Sequence, residues 1–170
     1  MNDEDSPDTR SEQPARPDRE VRFEMAGRAL AAARLRNLPE ADGGSGCAVL
    51  VEGINDEKAL RALGFLGPVE CVNRGWDRGR LVAYLYETYG TTNSVDGEAA
   101  MILLMDWDRT GGRLQRELGR RLEAFDMRID HATRMALVRA LKPEGRTVEM
   151  LGAHAEALLA AMRPHDPPRG

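Results

Sequence analysis

A chain of 170 residues is long enough for one α/β domain with a real core and a tail, and too short for several domains. Its composition, 42% hydrophobic and 31% charged, is that of an ordinary globular protein, and its longest apolar run, Ala99 to Met105, is far too short to cross a bilayer, so no membrane partner is expected. Residues 1–20 hold seven acids against three arginines and account for the whole net charge of −4; the neutral remainder lacks the basic footprint of a protein that coats nucleic acid.

In chain order, residues 1–20 are acidic and rich in Ser and Pro with almost nothing apolar, and are expected to be a disordered tail. From Val21 to Leu38, Phe23, Ala26, Leu30, Ala31 and Leu35 recur at helical spacing, and Pro39 with the run Asp42-Gly43-Gly44-Ser45-Gly46 predicts a flexible joint, so 21–46 reads as a helix and linker. Residues 47–163 read as the main domain. Cys47 to Val51 is a continuous apolar run that suits a strand buried on both faces, followed by Glu52, Gly53 and a helix to Leu63 with Asn55 or Asp56 as its N-cap.

A second strand is expected at Pro68 to Val72 and a second helix at Arg78 to Tyr89. The most apolar segment, Ala99 to Met105, should be the central strand, and it runs into Asp106-Trp107-Asp108-Arg109-Thr110-Gly111-Gly112. Leu114, Leu118 and Leu122 then share a helix face. A short strand near Met127 to Ile129, a helix from His131 to Leu141 and an alanine-rich helix from Val148 to Met162 complete the domain, leaving 164–170 as a tail. Alternating strands and helices predict an α/β, Rossmann-like fold of about four mainly parallel strands flanked by helices.

Parallel sheets bind ligands at the carboxyl ends of their strands, and two strands here end in acids. Asp106 and Asp108 are alternate residues in extended chain, so both carboxylates can face one ion while Trp107 faces away. Oxygen donors without a nearby histidine or thiol suit Mg²⁺, with Mn²⁺ as the alternative. Glu52 ends another strand, about 5 Å away if the two are neighbours, so a magnesium site of Glu52, Asp106 and Asp108 is expected; three converging carboxylates would repel one another without a cation or a raised pKa. The bland reading makes each acid a turn former or cap; Asp56 is a candidate substrate contact that helix capping explains equally well.

The run VLVEGINDEKALRALGF, followed some fifty residues later by MILLMDWDRTGG, is similar to the two signature motifs of the Toprim family. This is the catalytic domain shared by topoisomerases of types IA and II, bacterial-type primases, overcoming-lysogenization-type nucleases and small ribonucleases of ribosomal RNA maturation. The resemblance spans Cys47 to Glu149 and is closest to compact stand-alone archaeal Toprim proteins. It implies a Toprim fold, Mg²⁺ held by Asp106 and Asp108 with Glu52 as general acid or base, and phosphodiester chemistry on nucleic acid, RNA or DNA. Relatives often carry a basic residue where this chain has Ile54; Lys58, from the following turn, is the candidate to replace its phosphate contact.

Arg109 adjoins the metal pair and is a candidate phosphate contact. Arg113, with Arg116 and Arg120, forms either a phosphate-contacting stripe or a solvated face paired with Glu117 and Glu123, the commoner arrangement. Tyr84, Tyr86, Tyr89, Trp76 and Trp107 read as packing or surface residues. Two rival functions use the same residues: a metal- and nucleic-acid- or protein-binding module without turnover, and a haloacid-dehalogenase-type phosphatase, whose Asp-x-Asp-x-Thr pattern Asp106 to Thr110 also fits. The phosphatase would need a later lysine, and Lys142 is the sole one after Thr110.

Cys47 and Cys71 read as reduced thiols, and the three histidines lack zinc-type spacing. No basic-then-apolar leader opens the chain, so a cytoplasmic location is expected.

Overall fold

A computed structural model describes residues 18–168. The expected disordered tail therefore lies outside the described residues except at its end, and there the structure differs. Helix α1 (Arg19–Asn37) starts two residues ahead of Val21, because the Asp18 side chain accepts the Val21 N–H and caps it.

The elements then run β1 (Ala48–Val51), α2 (Ile54–Ala62), β2 (Val69–Cys71), α3 (Arg78–Tyr89), β3 (Met101–Leu103), α4 (Arg109–Glu123), β4 (Ile129–Asp130), α5 (Ala132–Leu141), α6 (Met150–Ala153) and α7 (Ala155–Met162). The four strands form one all-parallel sheet in the order β2-β1-β3-β4. The architecture is α/β and Rossmann-like. No helix among the described residues is long and apolar enough to cross a membrane.

The sheet explains why its central strands are apolar without alternation. Successive strand side chains leave opposite faces. Val49, Val51, Ile102 and Leu104 enter a core under α1, α2, α5, α6 and α7; Ala48, Leu50, Met101, Leu103 and Met105 enter a second core under α3 and α4. Both faces are covered, so every position must be apolar. Truncating Leu50 or Leu103 to alanine would cost about 2–5 kcal/mol.

Helix α1 is part of this body. Phe23, Ala26, Leu30 and Ala31 are buried in the first core with Leu137, Leu158 and Met162. The Gly-rich joint is closed by hydrogen bonds: the N–H groups of Ser45 and Cys47 donate to the Arg36 carbonyl, and that of Gly46 to Leu38. Asn37, fully buried, donates to the Cys47 and Pro68 carbonyls and accepts the Gly67 N–H. Composition reads this stretch as a linker; its backbone bonding makes it a clasp.

Smaller departures have local causes. The closing helix is split at His154, whose ψ of 17° leaves the helical region. The 164–170 tail is packed as far as Asp166, which pairs with Arg34. Helix α2 is capped by Gly53, with Asp56 at its third position reaching back to the Gly53 N–H (3.0 Å), in place of an Asn55 or Asp56 N-cap.

Candidate functional site

The strand order sets the site. From β1 the chain crosses to β2 on one side, whereas β3 and β4 lie on the other, so β1 and β3 diverge in their onward connections. Such a reversal leaves a crevice beyond the carboxyl ends of the two strands. Glu52 follows β1 directly and Asp106 ends the segment that continues β3, and the register Leu50↔Leu103 brings the two to one edge of the crevice.

Asp106 is 9% exposed, and its Oδ1 accepts the Val148 N–H at 2.7 Å. Its backbone is pinned as well. Arg134, reaching over from α5, donates from Nε to the Met105 carbonyl (2.9 Å) and from Nη2 to that of Asp106 (2.8 Å). Gln115, buried on α4, accepts the Met105 N–H and donates to the Leu103 carbonyl, standing in for the backbone of a strand that β4 is too short to supply. Trp107 is held by its N–H to Arg146 and its indole Nε1 to Gly145. Asp108 then caps α4, its Oδ1 accepting the Gly111 N–H at 2.6 Å. Gly111 is required for this turn: a Cβ there would lie 2.1 Å from the Asp106 carbonyl oxygen.

Electrostatically the acids form one group. Burial, then the negative charge of Asp106, pushes the Glu52 carboxyl up to about 7. Burial likewise raises Asp106, with Asp108 and Glu149 adding repulsion against the Val148 N–H that favours the charged form. Asp56 is raised by burial and by Asp106. Glu52 Oε1 is buried and has no hydrogen-bond partner. An orphaned buried carboxyl oxygen is uncommon and marks either a proton or a missing cation.

Among the described residues, no three His, Cys, Asp or Glu side chains are gathered into a group that closes on a metal ion. Asp106 and Asp108 each commit one oxygen to a backbone N–H, and the Asp106 carboxyl also meets that of Glu52 in a side-chain hydrogen bond. The donor set is nonetheless all oxygen, and Glu52 Oε1 lacks a partner; on both counts the residues fit a hard divalent cation such as Mg²⁺.

The crevice places Glu52 against Asp106 and within the electrostatic reach of Asp108, with Asp56 and Glu149 at its margin. The expected three-carboxylate magnesium site is not gathered into one ligand set among the described residues. Lys58 is exposed on α2 and lines a neighbouring open groove of about 600 Å³ with Asn55, Thr147 and Glu149. Arg109 and Arg113 are exposed on the first turns of α4. Of the expected pairings, Glu117 binds Arg121 and Glu123 binds His131, leaving Arg113, Arg116 and Arg120 outside the ion pairs of the described residues. Sequence reasoning missed Arg134, Gln115 and Glu149. Gln115 had a signal: the buried stripe of α4 is Gly111, Gln115, Leu118, Gly119 and Leu122, where a polar residue needs a partner.

No family model and no solved structure matches the chain. Among curated proteins, 118 residues are 31% identical to "UPF0292 protein" of Thermococcus onnurineus (strain NA1), an alignment covering 69% of this chain and 80% of that protein.

Proposed function

This chain belongs to the UPF0292 family, and on that premise we propose that it is a Toprim-type protein acting on phosphodiester bonds of nucleic acid, RNA or DNA, with Mg²⁺ or Mn²⁺ as its cofactor. The observation that carries this reading is the pairing of Glu52 with Asp106 at the crevice between β1 and β3, with one Glu52 oxygen buried and unpartnered. Asp106 and Asp108 are the residues that would hold the cation, through the oxygens not spent on Val148 and Gly111. When bound, a divalent cation neutralises the charge that builds on nonbridging phosphate oxygens.

Glu52 is the proton-transfer group. Its carboxyl ionises near neutrality, where a general acid or base works best. Arg134 and Gln115 fix the carbonyls and N–H of 103–106, so Asp106 presents its carboxyl to Glu52 in one orientation. Nothing favours the phosphatase alternative, since the cation that feels the carboxylates is Arg134 and Lys142 is exposed at the end of α5.

The test is incubation of the purified protein with short RNA and DNA substrates, with and without Mg²⁺ or Mn²⁺. Metal-dependent cleavage is expected, and its loss in Asp106→Asn. Thermal melting supplies a second readout: millimolar Mg²⁺ should raise the wild-type Tm by about 2–4 °C and leave Asp106→Asn unmoved. Absence of both effects would overturn the reading. Metal and nucleic-acid binding without cleavage, kept in Glu52→Gln, would make this a binding module.

A further inference from the structure

Two arginines beside the carboxylates are spent on no acid. Arg116 stands one turn beyond Gly112 on α4, and its side chain leans back toward the helix start, as helical side chains do. Arg134 arrives from α5. A Cβ placed on Gly112 would lie 3.6 Å from Arg116 Nη1 and 3.8 Å from Arg134 Nη2, so the two guanidiniums border the same small gap, which exists because residue 112 has no side chain.

Neither arginine enters an ion pair among the described residues, although Arg22, Arg34, Arg36, Arg61, Arg74 and Arg121 all do. Arg134 spends Nε and Nη2 on two carbonyls, and its Nη1 makes no hydrogen bond there. The Arg116 guanidinium and the remaining N–H of Arg134 Nη2 face one gap and offer N–H donors to a single tetrahedral oxyanion, as suits a phosphate.

We propose that Arg116 and Arg134, across Gly112, form a phosphate seat that takes a backbone phosphate of a nucleic-acid strand lying over the carboxylate crevice. This rests on the phosphodiester reading above and adds to it a specific contact, supplied by α4 and α5. Arg120, on the same helix but two turns beyond Gly112, is not part of it.

Gly112→Ala tests the seat without removing a charge. The added methyl fills the gap at ordinary contact distances, and alanine favours the helix by about 1 kcal/mol, so the fold should hold or gain stability. Binding of a short fluorescein-labelled single strand, RNA and DNA in turn, is measured by anisotropy at low salt in EDTA. Gly112→Ala and Arg116→Ala should each weaken binding about tenfold, and Arg116→Ala should reduce the slope of log affinity against log salt by about one. Arg120→Ala should stay within about twofold of wild type.

Wild-type affinity in a Gly112→Ala protein of unchanged or raised Tm would overturn the seat, as would equal losses in Arg120→Ala and Arg116→Ala. Pyrophosphate that raises the Tm of the wild type but not of Gly112→Ala, with no strand binding, would overturn the strand as occupant. The two proposals fail separately: strand binding sensitive to Gly112→Ala without metal-dependent cleavage leaves the seat and removes the reaction, and cleavage indifferent to Gly112→Ala does the reverse.

Discussion

Glu52, just beyond β1, and Glu70, within neighbouring β2, are two glutamates whose surroundings move them in opposite directions. Around Glu70, on β2, the hydroxyls of Tyr84 (2.8 Å) and Tyr89 (2.7 Å) and the guanidinium of Arg74 all donate to the carboxylate. Burial alone would raise its pKa, yet these three donors hold it below the usual range. Arg74 also lies over Trp76 and Tyr84, which adds cation–π contacts to the cluster. Glu52 has comparable burial, an acid for a neighbour and an oxygen with no partner. A satisfied buried charge holds a fold together. An unsatisfied one is tolerated where something else is meant to complete it.

That contrast can be broken most sharply at Glu52. Glu52→Gln should lower metal-dependent cleavage by about 10²–10⁴-fold while the protein stays folded, with a Tm in the absence of metal no lower than wild type. A variant that unfolds, or that cleaves normally, would erase the distinction. Glu70→Gln should do the opposite. It removes the charge on which three donors converge and should cost about 2–3 kcal/mol in urea denaturation, with little change in cleavage per folded molecule.

The smallest effect is in the pH dependence of stability. Glu52 has a folded pKa of about 7, above its ordinary 4.5, so the folded state binds more protons between those values. Its contribution is fully present below about pH 4.5 and is lost as pH rises towards 7. Glu70 is depressed, so its contribution holds above its ordinary value and is lost as pH falls below it. Urea titrations without divalent metal should therefore show a decline from pH 5 to 7 on the order of 1 kcal/mol after solvent screening, absent in Glu52→Gln. A decline of equal size in both proteins would assign it to other groups.

Much of this was legible in the residues. Val49 to Val51 and Met101 to Met105 are apolar at every position, which is the mark of strands covered on both faces, and the acids that end them stand out against that background. The parallel sheet follows from the alternation of elements. Arg134 was not legible, because its role comes from α5 crossing the end of β3, 28 and 29 residues away in sequence from the carbonyls it binds. Composition misled at 39–46, where glycines and acids suggest a loose tether. What it could not display was the set of backbone bonds to Arg36 and Leu38 that ties the segment down. The tyrosines read as packing or surface residues; Tyr84 and Tyr89 have the more definite task of binding Glu70, and Tyr86 lies at the surface against Phe125, as expected.

The placement of α1 also bears on how the chain acquires its structure. The helix packs on α5 and α7, and its Arg34 pairs with Asp166, 132 residues later. Part of the sheet's first covering layer is thus contributed by opposite ends of the described chain. During synthesis that layer cannot close until α7 has emerged from the ribosome, and until then Val49, Val51, Ile102 and Leu104 lack part of their cover. Assembly of this small domain is therefore a late event, governed by the arrival of its last helix and not by the local strength of its first.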